Sequence, residues 1–387
     1  MRIVRLANFV GPRSGGLRTA LHELGRGYRA EGHDPVLIVP GPRFTDEDTP
    51  QGRVITLPGP TVPWMGGYRV VLGRRRLITV LDELRPDRLE VSDRTTLRWT
   101  GAWARRRGVP SLMVSHENAT ALLGLALPRW APVRRIADAL NERTVSTYDT
   151  VVATTAFAAA EFRRIGATSL VTVPLGVDLA RFHPGLHSAA LRGTLARPSE
   201  LLLVHCGRLS PEKKVERSVD ALAALRSRGV PAVLVVVGDG PRRSALERRA
   251  RGLPVKFLGF VPDRDLVAQL LATADAVLAP GPAETFGLAA LEAMACGTPV
   301  VAAGDGALGE VVGDAGVAVS QGTGVRFAEA VLELAARPEA DRRAAARFRA
   351  QRFDWATAVS GMLAAHGLEG GVESWSGTFA SRPSATR

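Results

Sequence analysis

Glu284–Thr285–Phe286–Gly287–Leu288–Ala289–Ala290–Leu291–Glu292 is the stretch on which the reading of this chain turns. It follows Ala276–Val277–Leu278–Ala279–Pro280, a short apolar run of the kind that forms a buried strand. Beyond it, Leu288 to Cys296 has helical composition and stops at Gly297. Every residue of that helix except Glu292 is apolar or small, so it is expected to be buried on all sides. A lone buried carboxylate then needs a partner. Glu284 stands one turn earlier, where the helix begins. The N–H groups of Phe286, Gly287 and Leu288 point out of that N-terminus. They suit hydroxyls or an anion, and Gly287 permits close approach. The plain alternative is a capped core helix whose glutamate pairs with a neighbour.

The same alternation runs outward in both directions. Strands are expected at 201–206, 232–237, 254–258, 275–279 and 299–302, with helices at 214–228, 241–251, 263–272 and 286–296 between them. In the first half, strands are expected near 2–8, 35–39, 53–57, 88–92, 110–115, 150–154 and 170–173, with helices such as 16–30, 70–84 and 156–165. Short continuous apolar strands linked by helices indicate parallel sheets covered on both faces. The fold class is therefore α/β: two Rossmann-like, doubly wound domains, 1–183 and 199–353, facing across a cleft with a hinge near 175–198. Ligands bind at the carboxyl ends of such strands. Helices follow at 323–336, 338–350 and 354–366, the last expected to return to the first domain. The Gly/Ser/Thr-rich tail, 370–387, is expected to be disordered.

Composition narrows the function. With 387 residues, 46% apolar and 23% charged, the chain has the make-up of a two-domain globular protein. No apolar run approaches the roughly 20 residues that span a bilayer. Met1–Arg2–Ile3–Val4–Arg5–Leu6 enters a strand pattern directly, which predicts a cytoplasmic protein. Cys206 and Cys296 are expected to be free thiols. The net charge of +12 points to phosphate, anionic lipid or nucleic acid. Nucleic acid is disfavoured, because aromatics are only 5% and are not interleaved with the arginines. Lysine is scarce: Lys213, Lys214 and Lys256 are three among 50 Lys and Arg. A lysine pair in one loop therefore stands out as a point charge for phosphate.

Several loops suit a diphosphate. Gly11–Pro12–Arg13–Ser14–Gly15–Gly16–Leu17 opens the first long helix, although it is neither GxGxxG nor a P-loop. Gly207–Arg208–Leu209–Ser210–Pro211–Glu212–Lys213–Lys214 places two cations at a strand end. Gly238–Asp239–Gly240 and Gly259–Phe260–Val261–Pro262 follow at the same edge. His116, at the end of the strand at 110–115, and Asp93, which could face a substrate or cap a helix at 94, are further candidates.

In order and spacing over about 1–366, these motifs resemble the GT-B retaining glycosyltransferases of family 4: Gly207–Arg208 through Lys213, Gly238–Asp239–Gly240, Glu284 with Phe286–Gly287 and Glu292, then Gly297–Thr298–Pro299–Val300. Ala7 to Thr19, Glu90 to Arg94 and Ala279 to Pro282 are similar to a narrower group, the actinobacterial GDP-mannose-dependent phosphatidylinositol-mannoside mannosyltransferases. The resemblance implies that Gly16, Arg208 and Lys213 bind the donor diphosphate. It places the sugar on Glu284 and the backbone of Phe286, Gly287 and Leu288. Glu292 takes the ribose, Phe260 and Val261 line the base, and His116 is the active-site histidine of the first, acceptor-binding domain. It also implies front-face attack rather than a double displacement, with Glu284 as a hydroxyl anchor. No metal is expected, because the nearest thing to a DxD pair, Asp46–Glu47–Asp48, reads as part of a solvated, Pro-rich loop. Lys214 departs from the pattern, since many relatives have glycine there.

The acceptor implied is a phosphatidylinositol mannoside at the inner membrane face. The alternative is a UDP- or GDP-sugar used on a soluble glycan or small metabolite. Residues 1–183 hold 26 arginines and 17 Asp plus Glu, so 26 − 17 = +9 of the charge lies in the half without the Arg208–Lys213 motif. Tyr68–Arg69, Arg74–Arg76, Arg129–Trp130, Arg134–Arg135 and the apolar run from Leu122 to Leu127 are candidates for docking on anionic lipid, or else solvated helix faces.

Overall fold

The computed structural model describes residues 1–11, 15–62, 67–128 and 130–368. The expectations for Pro12–Ser14, Arg129 and the tail at 370–387 fall outside these residues. The first sheet contains β1 (Arg2–Leu6), β2 (Asp34–Gly41), β3 (Thr45–Thr49), β4 (Gly52–Pro58), β5 (Arg88–Val91), β6 (Ser111–Ser115), β7 (Thr150–Ala153) and β8 (Leu170–Thr172). Their spatial order is β3-β4-β2-β1-β5-β6-β7-β8. The second contains β9 (Leu201–Cys206), β10 (Ala232–Val237), β11 (Val255–Gly259), β12 (Ala276–Ala279), β13 (Val300–Ala303) and β14 (Val317–Val319), ordered β11-β10-β9-β12-β13-β14.

All pairings are parallel except β3 with β4. Burial on both faces explains the near-continuous apolar strands. In β9, Leu202 and Val204 enter one core cluster and Leu203 the other. Strand order reverses beside β1 in one sheet and beside β9 in the other. The loops leaving β1, β5, β9 and β12 therefore stand at the two switch points, where doubly wound sheets bind ligands.

Two expectations need correction. Asp46–Glu47–Asp48 is not a solvated loop but part of β3, an antiparallel edge strand. Arg53 donates to Asp46 at 2.6 and 2.8 Å, and Arg29 donates to Asp48 at 3.0 Å. Charged side chains on an edge strand discourage pairing with another chain. The helix expected from residue 70 begins at Arg74, because Val71 N–H is taken by the Asn8 side chain at 2.9 Å. Helix Ala307–Val312 and β14 were too short to read from periodicity.

Helix Trp355–Ala365 packs on the first half, where Val359, Met362 and Leu363 join Ile3, Leu24, Tyr28 and Val114. A buried polar cluster holds its end. Arg5 Nε donates to Glu90 at 3.0 Å, Tyr28 Oη donates to it at 2.8 Å, and His366 Nε2 lies 3.3 Å from it. Burial alone would raise the Glu90 pKa, but the Arg5 charge and the His366 and Tyr28 hydrogen bonds hold it at about 2.

Candidate active site

The loop after β9 is pinned by its backbone and presents its cations outward. Gly207 N–H donates to Val237 at 2.9 Å, and Leu209 N–H to Asp239 at 3.0 Å, with the Leu209 side chain fully buried. Arg208 donates to Glu212 at 2.8 Å, and its guanidinium lies 5.1 Å from the ring centre of Tyr68, a residue of the opposite half. Tyr68 thus faces the cleft rather than forming part of a lipid-facing patch. The Lys213 ammonium pairs with the Glu284 carboxylate. Lys214 takes a left-handed conformation at φ 49°. That is the geometry glycine adopts freely, and lysine bears roughly 1–2 kcal/mol of strain there.

The loop after β12 ends in Gly287 at φ 90°, where a Cβ would collide with Leu308. Gly287 is the N-cap of helix Leu288–Ala295, and no side chain caps it. The Phe286 ring turns into the core, edge-on to Phe353 at 5.9 Å. The loop therefore offers its backbone, not its side chains, at the helix start. Glu292 is only 6% exposed and finds its partner in Arg264, which donates at 2.6 Å. Burial pushes the Glu292 pKa up, and the Arg264 charge and hydrogen bond oppose this. Phe260 is exposed and Val261 half-buried in the loop after β11.

The first half contributes Gly16 and His116. Gly16 opens helix Gly16–Ala30, and a Cβ on it would lie 3.6 Å from Leu288 across the cleft. His116 follows β6, with Nε2 3.2 Å from Ser92 Oγ. Burial, with the Arg5 and Arg94 charges, lowers its pKa to about 4, so the imidazole is neutral at physiological pH. Its loop is held from below. Arg94 donates to Asn141 at 2.7 Å, to Glu161 and Ser115 at 2.8 Å, and to the Glu117 carbonyl. Asp93 neither caps a helix at 94 nor opens toward the cleft. It accepts from Asn8 at 2.9 Å, Thr95 N–H at 2.7 Å and Thr96 at 2.5 Å, and the next helix starts at Trp99.

Thr285 Oγ1 donates to the His116 carbonyl at 2.7 Å, which places His116 against the Glu284 loop. The cleft thus gathers two cations, an uncapped helix N-terminus, a carboxylate beside it and a neutral imidazole. Such a set can neutralise a diphosphate and hold sugar hydroxyls. Sequence reading missed Arg264, Thr285 and the inward turn of Tyr68. None of them carried a signal of its own: Glu292 called for a cation, but Arg264, at the start of helix Arg264–Thr273 directly after the capping residue Asp263, is one of many arginines. Cys206 and Cys296 are free thiols.

Residues 14–181 match the family described as Glycosyltransferase Family 4, and residues 200–337 match Glycosyl transferases group 1. The chain is 54% identical over 369 residues to a GDP-mannose-dependent alpha-(1-6)-phosphatidylinositol dimannoside mannosyltransferase of Mycobacterium tuberculosis, covering 95% of this chain and 96% of that one. It is 35% identical to a D-inositol 3-phosphate glycosyltransferase of Actinosynnema mirum, covering 69% of each. In fold it is like WaaG, a glycosyltransferase involved in lipopolysaccharide biosynthesis (TM-score 0.71, 19% identity, 95% of this chain and 100% of the other). It is also like Anabaena HepE in complex with UDP and glucose (TM-score 0.72, 22% identity, 94% and 98%). The architecture is GT-B.

Proposed function

The chain belongs to glycosyltransferase family 4, and on that premise we propose that it transfers mannose from GDP-mannose to a phosphatidylinositol mannoside, keeping the α configuration. The observation that carries this reading is the 54% identity spanning 95% of the chain, because it covers the donor half and the acceptor half alike. The acceptor is a phosphatidylinositol dimannoside, which gains one α-(1→6)-linked mannose.

Arg208, Lys213 and the amide of Gly16 hold the donor diphosphate. Without donor, the Lys213 ammonium and the Glu284 carboxylate satisfy each other. With donor bound, the ammonium faces phosphate and the carboxylate accepts from mannose hydroxyls. The backbone N–H groups of Phe286, Gly287 and Leu288 complete the sugar and phosphate contacts. Glu292 accepts from the ribose, and Phe260 and Val261 line the base. Neutral His116 hydrogen-bonds the mannose from the acceptor side. The anomeric C–O bond to GDP breaks as the bond to the acceptor oxygen forms on the same face, and the acceptor proton passes to the departing phosphate. Fixed cations serve better than water here, because they need no reorganisation as charge develops.

The two glutamates should separate by readout. Glu284→Gln keeps the shape but weakens the hydroxyl contacts made in the transition state. It should lower kcat roughly 10- to 100-fold while GDP affinity changes little. Glu292→Ala should weaken GDP binding by a similar factor. Equal effects of both on free GDP binding, measured by calorimetry, would contradict these roles. The donor assignment itself is tested by the same titration: GDP should bind more tightly than UDP.

No helix among the described residues is long and apolar enough to cross a membrane. The helices that follow His116 supply a surface for a lipid acceptor. Leu122 is 39% exposed, Trp130 84% and Ile136 36%, beside exposed Arg134 and Arg135. By contrast Arg74 stacks over Trp99 and Arg76 over Phe44, at 4.7 and 5.3 Å. On this reading the protein works as a peripheral protein at the inner membrane face, and the exposed patch supports it. Binding to vesicles containing phosphatidylinositol should fall with salt, as each basic contact contributes about 1 kcal/mol and is screened. Reversing Arg134 and Arg135 to Glu should reduce sedimentation with those vesicles and leave GDP binding intact. Equal sedimentation with neutral vesicles would favour a soluble acceptor.

A further inference from the structure

Among the described residues, the bonds that join the two halves beside the Glu284 loop converge on Thr285 and Glu310. Thr285 stands between Glu284 and Phe286 and is only 8% exposed. Its hydroxyl donates to the His116 carbonyl at 2.7 Å, and its carbonyl accepts from the Thr154 and Thr155 hydroxyls at 3.1 and 3.0 Å. Both threonines follow β7 in the first half and are almost fully buried. Glu310 lies on helix Ala307–Val312 of the second half. Its two carboxylate oxygens accept from the N–H groups of Ala156 and Phe157 at 2.9 and 3.1 Å. Those groups begin helix Ala156–Arg163 of the first half, so a carboxylate from one half caps a helix of the other.

The two contacts are linked mechanically. Ala307 N–H donates to the Glu284 carbonyl at 3.3 Å, and Leu308 fills the space beside Gly287. Any shift of Glu310 therefore reaches the loop that carries Glu284. Any opening of the cleft strips the buried Thr154, Thr155 and Thr285 groups of their partners at once, which is costly.

We infer that Thr285 and Glu310 are positioning residues: they lock the two halves in the register that brings His116 against the Glu284 loop. Neither touches the donor in this account. They act by fixing where the groups that do touch it stand, and small misplacements of such groups are expensive. The inference rests on the proposed site but not on the identity of the acceptor.

The test uses Thr285→Val, Thr285→Ser and Glu310→Gln in the full chain. Thr285→Val keeps the side-chain shape and loses the donor to His116. It should lower kcat roughly 10- to 100-fold with GDP affinity within about twofold of the parent. Thr285→Ser should restore most of the rate. Glu310→Gln, which loses the charge at the helix N-terminus, should also lower kcat and enlarge the GDP-bound protein in small-angle X-ray scattering. Unchanged kcat and unchanged dimensions in both Thr285→Val and Glu310→Gln would overturn the inference. So would a parallel loss of GDP affinity, or a serine variant no better than valine. If the site reading itself were wrong, the parent protein would fail to bind GDP, an outcome distinct from all of these.

Discussion

Lys213→Ala is expected to weaken GDP binding by on the order of 2–4 kcal/mol, about 30- to 1,000-fold, with the fold intact. The loop backbone does not depend on this side chain. Gly207 and Leu209 are hydrogen-bonded to the neighbouring loop, and Lys213 N–H donates to the Ser210 carbonyl at 3.1 Å. What is lost is the ammonium, which pairs with Glu284 and is 28% exposed. Its removal has two consequences of the same sign. The diphosphate loses a cation, and Glu284 is left as an uncompensated carboxylate beside it. Arg208→Ala should do less, because the Arg208 side chain is 41% exposed and already shared with Glu212 and Tyr68. Calorimetric titration with GDP, alongside the melting temperature, checks both variants. Parental affinity in Lys213→Ala would remove the loop from the donor site.

Glu90→Ala should destabilise the first half by about 3–5 kcal/mol, the range for breaking a buried ion pair from one side. Arg5 and Glu90 are each 1% exposed; besides the Nε bond to Glu90, Arg5 Nη1 donates to the Leu21 carbonyl at 2.6 Å and Nη2 has no hydrogen-bond partner. The variant leaves a guanidinium buried without its counter-charge and frees Tyr28 and His366. Since His366 ends the helix at Trp355–Ala365, that helix should loosen as well. Urea unfolding would reveal the loss, and hydrogen exchange would localise it to this helix and β1. The pH dependence follows from the same cluster. The Glu90 pKa lies below its ordinary value in the folded protein, at about 2. The stabilisation is therefore complete above the usual carboxylate range near 4.5 and fades as pH falls toward 2. Parental stability in Glu90→Ala, with the same acid profile, would contradict this.

Much of the architecture was legible because it is written in local pattern. Runs such as Leu202–Leu203–Val204 and Val233 to Val237 are too short for buried helices and read as strands buried on both faces, and the helices between them favour parallel pairing. β3 escaped because Asp46–Glu47–Asp48 has no apolar face to betray an edge strand. The demand of Glu292 for a partner was readable from its apolar helix, whereas its partner was not, since Arg264 is one of many arginines. The Lys213–Glu284 pair and the Thr285–His116 contact join residues 71 and 169 positions apart. Nothing in local periodicity encodes such distances. They follow from two sheets placing their carboxyl edges face to face. Lys214 shows the reverse: its sequence looked anomalous, and only the left-handed backbone explains why glycine suits that position.

The proposed reaction is decided by mass spectrometry of the products after incubating the purified protein with sugar nucleotides and vesicles containing phosphatidylinositol dimannoside. GDP-mannose should yield a lipid heavier by one hexose, with the new linkage α by NMR and GDP released in equal amount. UDP-glucose should yield none. Transfer from a UDP-sugar to a soluble acceptor, with the lipid unchanged in the presence of GDP-mannose, would contradict the account.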